Sequence, residues 1–152
     1  NMTATPPTKL ETNEHHGRQR IAYFAFTQGA AAGDAASTAD LVKLPAGRVR
    51  VLKTASEYVC SAFGAARTLN VGHTGYTQPD GTVVAASADT ISNGADVSAA
   101  AKVIMGAGTN ALGTDPTVVY ESRSGLTIQA IVAGGTIPIA ATLKGYVVYV
   151  LD

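Results

Sequence analysis

The alternation of apolar and polar positions is clearest in the last third of the chain, where it predicts two long β-strands. Along Gly125–Ala133, apolar residues alternate with more polar ones, which is the period-two pattern of a strand with one face on a core. The run Tyr146–Leu151 is apolar on both faces and rich in β-branched and aromatic residues, as in a central strand covered on both sides. Gly134-Gly135 and Pro138 predict a turn between the two strands. The predicted core positions of the first strand are Leu126, Ile128, Ala130 and Val132.

Short apolar runs separated by turn residues predict further strands earlier in the chain. Pro45-Ala46-Gly47 and Pro79-Asp80-Gly81 are turn sequences, and strands at such short spacing favour an antiparallel sandwich or barrel. We therefore predict an all-β fold: an antiparallel β-sandwich or jelly-roll-like domain with an extended N-terminal arm and at most one short helix. The runs are Arg20–Thr27, Leu41–Leu44, Arg48–Lys53, Glu57–Phe63, Thr68–Val71, Val83–Ala85 and Thr117–Glu121.

One segment, Asp89–Gly106, carries a helical pattern. Asp96 would cap this helix and Gly106 would end it. Its apolar stripe would consist of Val97, Ala100, Ala101 and Ile104.

The N-terminal segment differs from the rest of the chain in composition. Residues 1–19 are polar, contain Pro6-Pro7 and include almost no large apolar side chains, so they have too little to bury to fold alone. They form either a disordered tail or an arm that orders on a neighbour. We accordingly predict an extended arm over residues 1–19 and a β-sandwich domain over residues 20–152.

Charge is scarce and unevenly distributed. Charged residues make up 14% of the chain, against about 25% in typical proteins. Two interpretations remain open: a compact β domain with a Thr/Ser/Ala surface, or a surface largely covered by other subunits, since interface cores are depleted in charge. We favour the second. Net charge is zero, and most cations lie in the first half; without interleaved aromatics we expect no direct binding of nucleic acid. No apolar run approaches the length of a membrane helix.

Candidate chemistry is sparse. Cys60 is the only cysteine, so no intrachain disulfide is possible, and its apolar neighbours predict a small buried hydrophobe. The adjacent His15 and His16 lack the carboxylate spacing of a metal site. His73 lies near Ser61 in sequence without any sign of an activated nucleophile, and it is interpreted as a turn or core histidine. We predict no catalytic, metal or cofactor site and no enzymatic activity.

Several phrases together resemble a known protein family, the capsid decoration (cement) proteins of tailed bacteriophages. The resemblance covers roughly residues 41–152, and its motifs are turn and strand sequences. They are LVKLPAGRVRVL (Leu41–Leu52), RTLNVGHTGYTQPDGTVV (Arg67–Val84), NGADVSAA (Asn93–Ala100) and GGTIPIAATLKGYVVYVLD (Gly134–Asp152).

The resemblance implies a structural protein of the virion. Such proteins are made in the host cytoplasm and bind the outer capsid surface between capsomers, commonly as homotrimers. The implied partners are the major capsid protein and further copies of the chain, with no membrane, nucleic acid or cofactor. A rival interpretation is a head or tail fibre domain that binds a host receptor, for which Tyr76 and Tyr120 are the candidate exposed loop aromatics.

Five basic residues and Leu10 are the candidate contacts with such partners. In the arm, four residues would touch a neighbouring subunit. Arg48 and Arg50 lie on one face of a predicted strand and would meet an acidic capsid surface. The four arm residues are Lys9, Leu10, Arg18 and Arg20.

Overall fold

A computed structural model describes residues 18–34, 37–106 and 115–152 of the protein. In these residues the chain forms twelve strands and one three-residue 3₁₀ turn, Lys53–Ala55. The strands are β1 (Arg20–Thr27), β2 (Thr38–Leu44), β3 (Gly47–Leu52), β4 (Glu57–Cys60), β5 (Thr68–His73), β6 (Tyr76–Thr77), β7 (Val83–Val84), β8 (Ser87–Asp96), β9 (Ala101–Ile104), β10 (Thr117–Ser122), β11 (Leu126–Ala133) and β12 (Thr142–Leu151).

The strand β12 is the centre of a six-stranded antiparallel sheet. On one side it pairs with β1 over eight residues. On the other side its first half pairs with β4 and its last residues pair with β3, and β9 and β10 extend the sheet beyond these two. The central position predicted for Tyr146–Leu151 is confirmed. Burial of both faces of this strand is observed at Val147 and Val148, because these neighbouring side chains point to opposite faces and both are buried.

A four-stranded antiparallel sheet, in the order β2-β11-β5-β8, packs against the larger sheet. The two sheets share one cluster of buried apolar side chains, so the predicted all-β sandwich is confirmed. The alternation along β11 is also confirmed, because its predicted core positions are all buried: Leu126, Ile128, Ala130 and Val132. The short strands β6 and β7 form a separate hairpin, with Gly81 at a φ of 92° in the predicted turn.

Strands that follow one another in sequence often belong to different sheets. The turn at Pro45-Ala46 joins β2 of the smaller sheet to β3 of the larger one, and the connection through Pro138 joins β11 to β12 in the same way. These proline-marked connections therefore cross between layers of the sandwich. The local pattern predicted the turns, but it carried no information on sheet membership.

The predicted helix over Asp89–Gly106 is wrong. This segment forms β8, a short turn and β9. Asp96 does act as a capping residue, since its Oδ1 accepts the backbone N–H of Ser98 at 2.8 Å, but it caps a turn. Pairing of β8 with β5 and of β9 with β4 outweighs the weak helical spacing, as tertiary context commonly does.

The predicted boundary between arm and domain falls where β1 begins, at Arg20. Residues 1–17 lie outside the described part of the chain. The extended arm over residues 1–19 therefore stays a prediction.

Candidate partner-binding surface

The larger sheet has an outer face, which we define as the side turned away from the shared core. The pairing register places residues from four neighbouring strands in two rows across this face. The residues are Tyr23, Tyr146, Glu57 and Ile104 in the first row and Ala25, Lys144, Val59 and Lys102 in the second.

Large apolar side chains are exposed on this outer face. Tyr23 is 73% exposed and Ile21 51% exposed on β1, while Val59 is 50% and Ile104 44% exposed on β4 and β9. Tyr23 packs edge-on against Tyr146, with ring centroids 6.0 Å apart. Exposed apolar side chains grouped on one surface are typical of interaction sites.

A polar chain crosses the centre of the outer face. Lys102 Nζ lies 3.0 Å from Glu57 Oε2, and this hydrogen bond lowers the pKa of Glu57 and raises the pKa of Lys102. The hydroxyl of Tyr146 also donates to Glu57, and this hydrogen bond raises the pKa of Tyr146. These contacts link side chains of β4, β9 and β12 across the sheet.

The two arginines predicted to meet an acidic partner lie on the outer face of β3, but both have acidic neighbours within the chain. Arg50 donates to Asp152 Oδ2 from two nitrogens, at 3.0 and 3.2 Å. Arg48 lies 3.6 Å from the same carboxylate and 3.4 Å from Glu121. Two carboxylates thus compensate two guanidinium groups, so the local potential is weaker than the sequence of β3 alone suggests. Their role towards a partner stays a prediction.

The other predicted contact residues lie at or before β1. Arg18 and Arg20 are exposed, and Arg20 is the first residue of β1. Lys9 and Leu10 lie outside the described residues.

The histidine that the sequence analysis interpreted as a turn or core residue, His73, belongs to a buried aromatic cluster. His73 packs edge-on against Tyr76 and Tyr120, with ring centroids 5.3 and 5.1 Å away. Its Nδ1 lies 2.8 Å from the carbonyl oxygen of Thr74. The hydroxyl of Tyr120 is 2.8 Å from Thr90 Oγ1, and burial raises the pKa of Tyr120. The interpretation of His73 as a core histidine is confirmed.

This cluster also removes the predicted receptor-binding aromatics from the surface. Tyr120 is buried on β10 and Tyr76 is partly buried on β6, so neither candidate is an exposed loop aromatic. Among the aromatic side chains in the described part of the chain, that of Tyr23 is exposed. Local sequence cannot distinguish the buried tyrosines from the exposed one, because the exposure of each ring depends on which strands lie beside it.

Reactive groups in the described part of the chain are buried or dispersed. Cys60 is buried, as predicted, and burial raises the pKa of its thiol. Residues 18–34, 37–106 and 115–152 contain no group of three or more potential metal ligands. The same ranges contain no helix long and apolar enough to cross a membrane.

No known protein family matches the sequence, and no curated protein is significantly similar to it. Among solved structures, the chain resembles a chain of the cyanophage Pam1 capsid asymmetric unit, with a TM-score of 0.52 and 17% identity over 100% of this chain and 94% of that one. It also resembles a chain in the structure of infectious bursal disease virus, Gt strain, with a TM-score of 0.47 and 12% identity over 90% of this chain and 32% of that one. The first similarity shows a fold shared over the full length of the chain.

The exposed apolar residues of the outer face were not among the predicted contact residues. A signal was present, because Ile21, Tyr23 and Ala25 alternate with Ala22, Phe24 and Phe26 along the first strand. Both sets are apolar, so the alternation could not show which set faces the core. Only the packing of the smaller sheet against one face of the larger sheet resolves this, because Phe24 is buried in the shared core.

Proposed function

We propose that the protein is a structural component of a virion, and that it decorates and stabilises the outer surface of a tailed-phage capsid by bridging capsomers as a homotrimer. The observation that carries this proposal is the fold shared over the full length with a chain of a cyanophage capsid asymmetric unit. The resemblance of the turn and strand phrases to capsid decoration proteins, and the exposed apolar outer face, support it.

A decoration role suits the physics of a shell filled with DNA. A protein that binds only the assembled lattice stabilises that lattice by mass action. Three linked copies gain avidity beyond that of any single contact. In this role the partners are the major capsid protein and further copies of the chain, and the protein acts as a structural component rather than as an enzyme.

The direct test is binding to purified expanded shells of the phage that carries the protein. Light scattering gives the mass of the free protein, and co-sedimentation followed by quantitative gel analysis gives the number of copies bound per shell. We expect trimers, or pairs of trimers, that bind in many copies distributed over the shell. Protein that does not sediment with shells contradicts the proposal and favours the fibre or receptor-binding alternative.

The arm provides a second test of the same proposal. Residues 1–19 precede β1 and include almost no large apolar side chains, so their deletion should leave the sandwich folded. We expect weaker attachment to shells, because an extended arm adds contacts with a neighbour, as in strand addition to a sheet edge. A truncated protein that unfolds at the same temperature as the full chain and binds shells with full strength would contradict this role of the arm.

A further inference from the structure

The strand β1 forms an edge of the larger sheet, and β2 of the smaller sheet packs close to it. Strand β1 pairs with β12 through eight consecutive residues without a register shift, and no second strand pairs with it in the described part of the chain. From Ile21 to Thr27 it contains neither charge nor proline. Natural proteins usually protect edges with charges, prolines, bulges or short strands. An edge without these features is a template for pairing with another chain.

The other edge strands of the sandwich carry the protection that β1 lacks. The strand β9 has only four residues and includes Lys102, and β10 has six and includes Glu121. In the smaller sheet, β2 includes Asp40 and Lys43 and pairs across a register shift with β11. The strand β8 includes Asp89 and pairs across two register shifts with β5. Among the described edges, β1 is therefore the one suited to pairing.

The hydrogen-bonding pattern between β1 and β12 also shows which backbone groups of β1 point away from β12. The N–H of Gln28 donates to the carbonyl oxygen of Ala141 at 2.8 Å, and this pair continues the register of β1 with β12. In an antiparallel ladder, hydrogen-bonded residues alternate, so the even-numbered residues of β1 bond to β12. The N–H and C=O groups of Ile21, Tyr23, Ala25 and Thr27 point away from it. Backbone donors and acceptors thus accompany the exposed side chains of Ile21 and Tyr23 at one edge.

We propose that the open edge of β1 pairs antiparallel with β1 of a second copy of this chain, about a two-fold axis at Phe24. This register places Tyr23 opposite Ala25 and Ile21 opposite Thr27. The residues whose N–H and C=O groups point away from β12 then lie opposite one another in the two copies. All of these backbone groups between Ile21 and Thr27 can therefore form hydrogen bonds across the contact. On the outer face it sets large side chains beside small ones, so that the apolar surface continues across both copies.

Charge favours this antiparallel arrangement. Arg18 and Arg20 lie at one end of β1, so a parallel pair would bring four guanidinium groups together. In the antiparallel register Arg20 lies opposite Gln28, and the basic ends of the two strands are separated. The N-terminal segment is a poorer occupant of the edge, because residues 1–17 include Pro6-Pro7, Lys9, Glu11 and Glu14 and lack a run of alternating apolar residues.

The pairing goes beyond the proposed function and does not depend on it. A two-fold contact joins chains in pairs, whether they are single or already belong to trimers. It is tested on the purified protein alone, so failure to bind shells leaves this proposal unaffected. Failure of the pairing likewise leaves capsid decoration unaffected.

Cysteine cross-linking between two single variants tests the register. Tyr23→Cys with an affinity tag is mixed with untagged Ala25→Cys under mild oxidation, and the mixed disulfide dimer is quantified on a non-reducing gel. Directly opposed, hydrogen-bonded residues have Cα atoms about 5.5 Å apart, within the range that a disulfide requires. The matched control mixes Tyr23→Cys with Ile104→Cys, which is exposed on the same outer face at the far edge. The native Cys60 is buried and adds little background.

We expect the Tyr23→Cys and Ala25→Cys pair to cross-link at least about tenfold faster than the control pair, because only opposed positions satisfy disulfide geometry. Ile21→Cys mixed with Thr27→Cys should behave in the same way, which keeps the test decisive if one variant folds poorly. Equal rates for the opposed and control pairs would overturn the proposal. The proposal would also be overturned if neither opposed pair cross-linked while all four cysteine variants unfolded at the wild-type temperature.

Discussion

At the scale of single residues, Ser56 shows how one side chain completes the larger sheet. It is fully buried, and its hydroxyl donates to the carbonyl oxygen of Leu52 at 2.7 Å. The same oxygen accepts the backbone N–H of Val148 at 2.9 Å. Val148 lies between the part of β12 that pairs with β4 and the part that pairs with β3. Neither β3 nor β4 pairs with Val148, so the hydroxyl of Ser56 accepts the hydrogen bond from its backbone N–H.

Replacing this serine should therefore cost more than the loss of an ordinary surface hydroxyl. We expect Ser56→Ala to lower the free energy of unfolding by about 1–3 kcal/mol, because it leaves a buried N–H without its acceptor. Urea unfolding at neutral pH measures this difference. The control Ser124→Ala removes a hydroxyl from an exposed residue and should change stability by less than about 0.5 kcal/mol. Equal effects of the two substitutions would contradict the role assigned to Ser56.

At the scale of elements, three aspartates shape turns beside the strands. Each accepts the backbone N–H of the residue two positions later, at 2.8, 2.8 and 2.9 Å, and each has a pKa lowered chiefly by that hydrogen bond. Such side chains stabilise turns by mimicking a backbone hydrogen bond. The pairs are Asp80 with Thr82, Asp96 with Ser98 and Asp115 with Thr117.

These turns should make the fold sensitive to acid. Since the folded-state pKa of each aspartate lies below its unfolded value of about 3.9, the stabilisation is present above that value and is lost as the pH falls through the folded pKa. We expect the free energy of unfolding to decrease from about pH 4 downwards. The triple variant Asp80→Asn, Asp96→Asn, Asp115→Asn keeps an acceptor oxygen that does not titrate, so its decrease should be smaller. Urea titrations at several pH values give the pH dependence of the free energy of unfolding for the wild type and the triple variant. An identical dependence in the two proteins would exclude these turns as the cause of the acid sensitivity.

At the scale of the whole molecule, the shared core makes the two sheets one cooperative unit. Ile128 of the smaller sheet and Val147 of the larger sheet are both fully buried in the same apolar cluster. The larger sheet also depends on contacts made late in the chain, because its central strand is β12. A cavity in either sheet should therefore destabilise both.

The substitution Ile128→Ala tests this coupling from the smaller sheet. We expect a loss of about 2–5 kcal/mol, which is usual for a buried isoleucine. Five of the six tyrosines lie in the larger sheet and Tyr76 lies in the β6–β7 hairpin, so tyrosine fluorescence follows mainly the larger sheet while far-UV circular dichroism follows both sheets. Coincident transitions by the two probes are expected in wild type and variant. Transitions that separate in the variant would show that the sheets unfold independently, and Ile139→Ala, at a position 59% exposed, serves as the control.

The sequence by itself determined the class of the fold and the position of most strands. Alternation along β11 and turn residues such as Asp80 act on neighbours in the chain, so their consequences can be inferred locally. The same local reasoning mistook β8 and β9 for a helix, because pairing with distant strands decided their conformation. It also named Tyr120 as a candidate exposed aromatic, since no local feature shows that His73 and Thr90 lie against that ring.

Only the tertiary structure decided what the surface presents to a partner. Arg50 appears in the sequence as an available cation, but it bonds to Asp152, a residue 102 positions away. The face formed by Ile21 and Tyr23 could have been either core or surface, and it is exposed because it lies on the side of the larger sheet that is turned away from the shared core. Both outcomes depend on contacts between distant parts of the chain. Local periodicity determines strands, whereas long-range pairing determines which strand becomes an edge and which charge remains uncompensated.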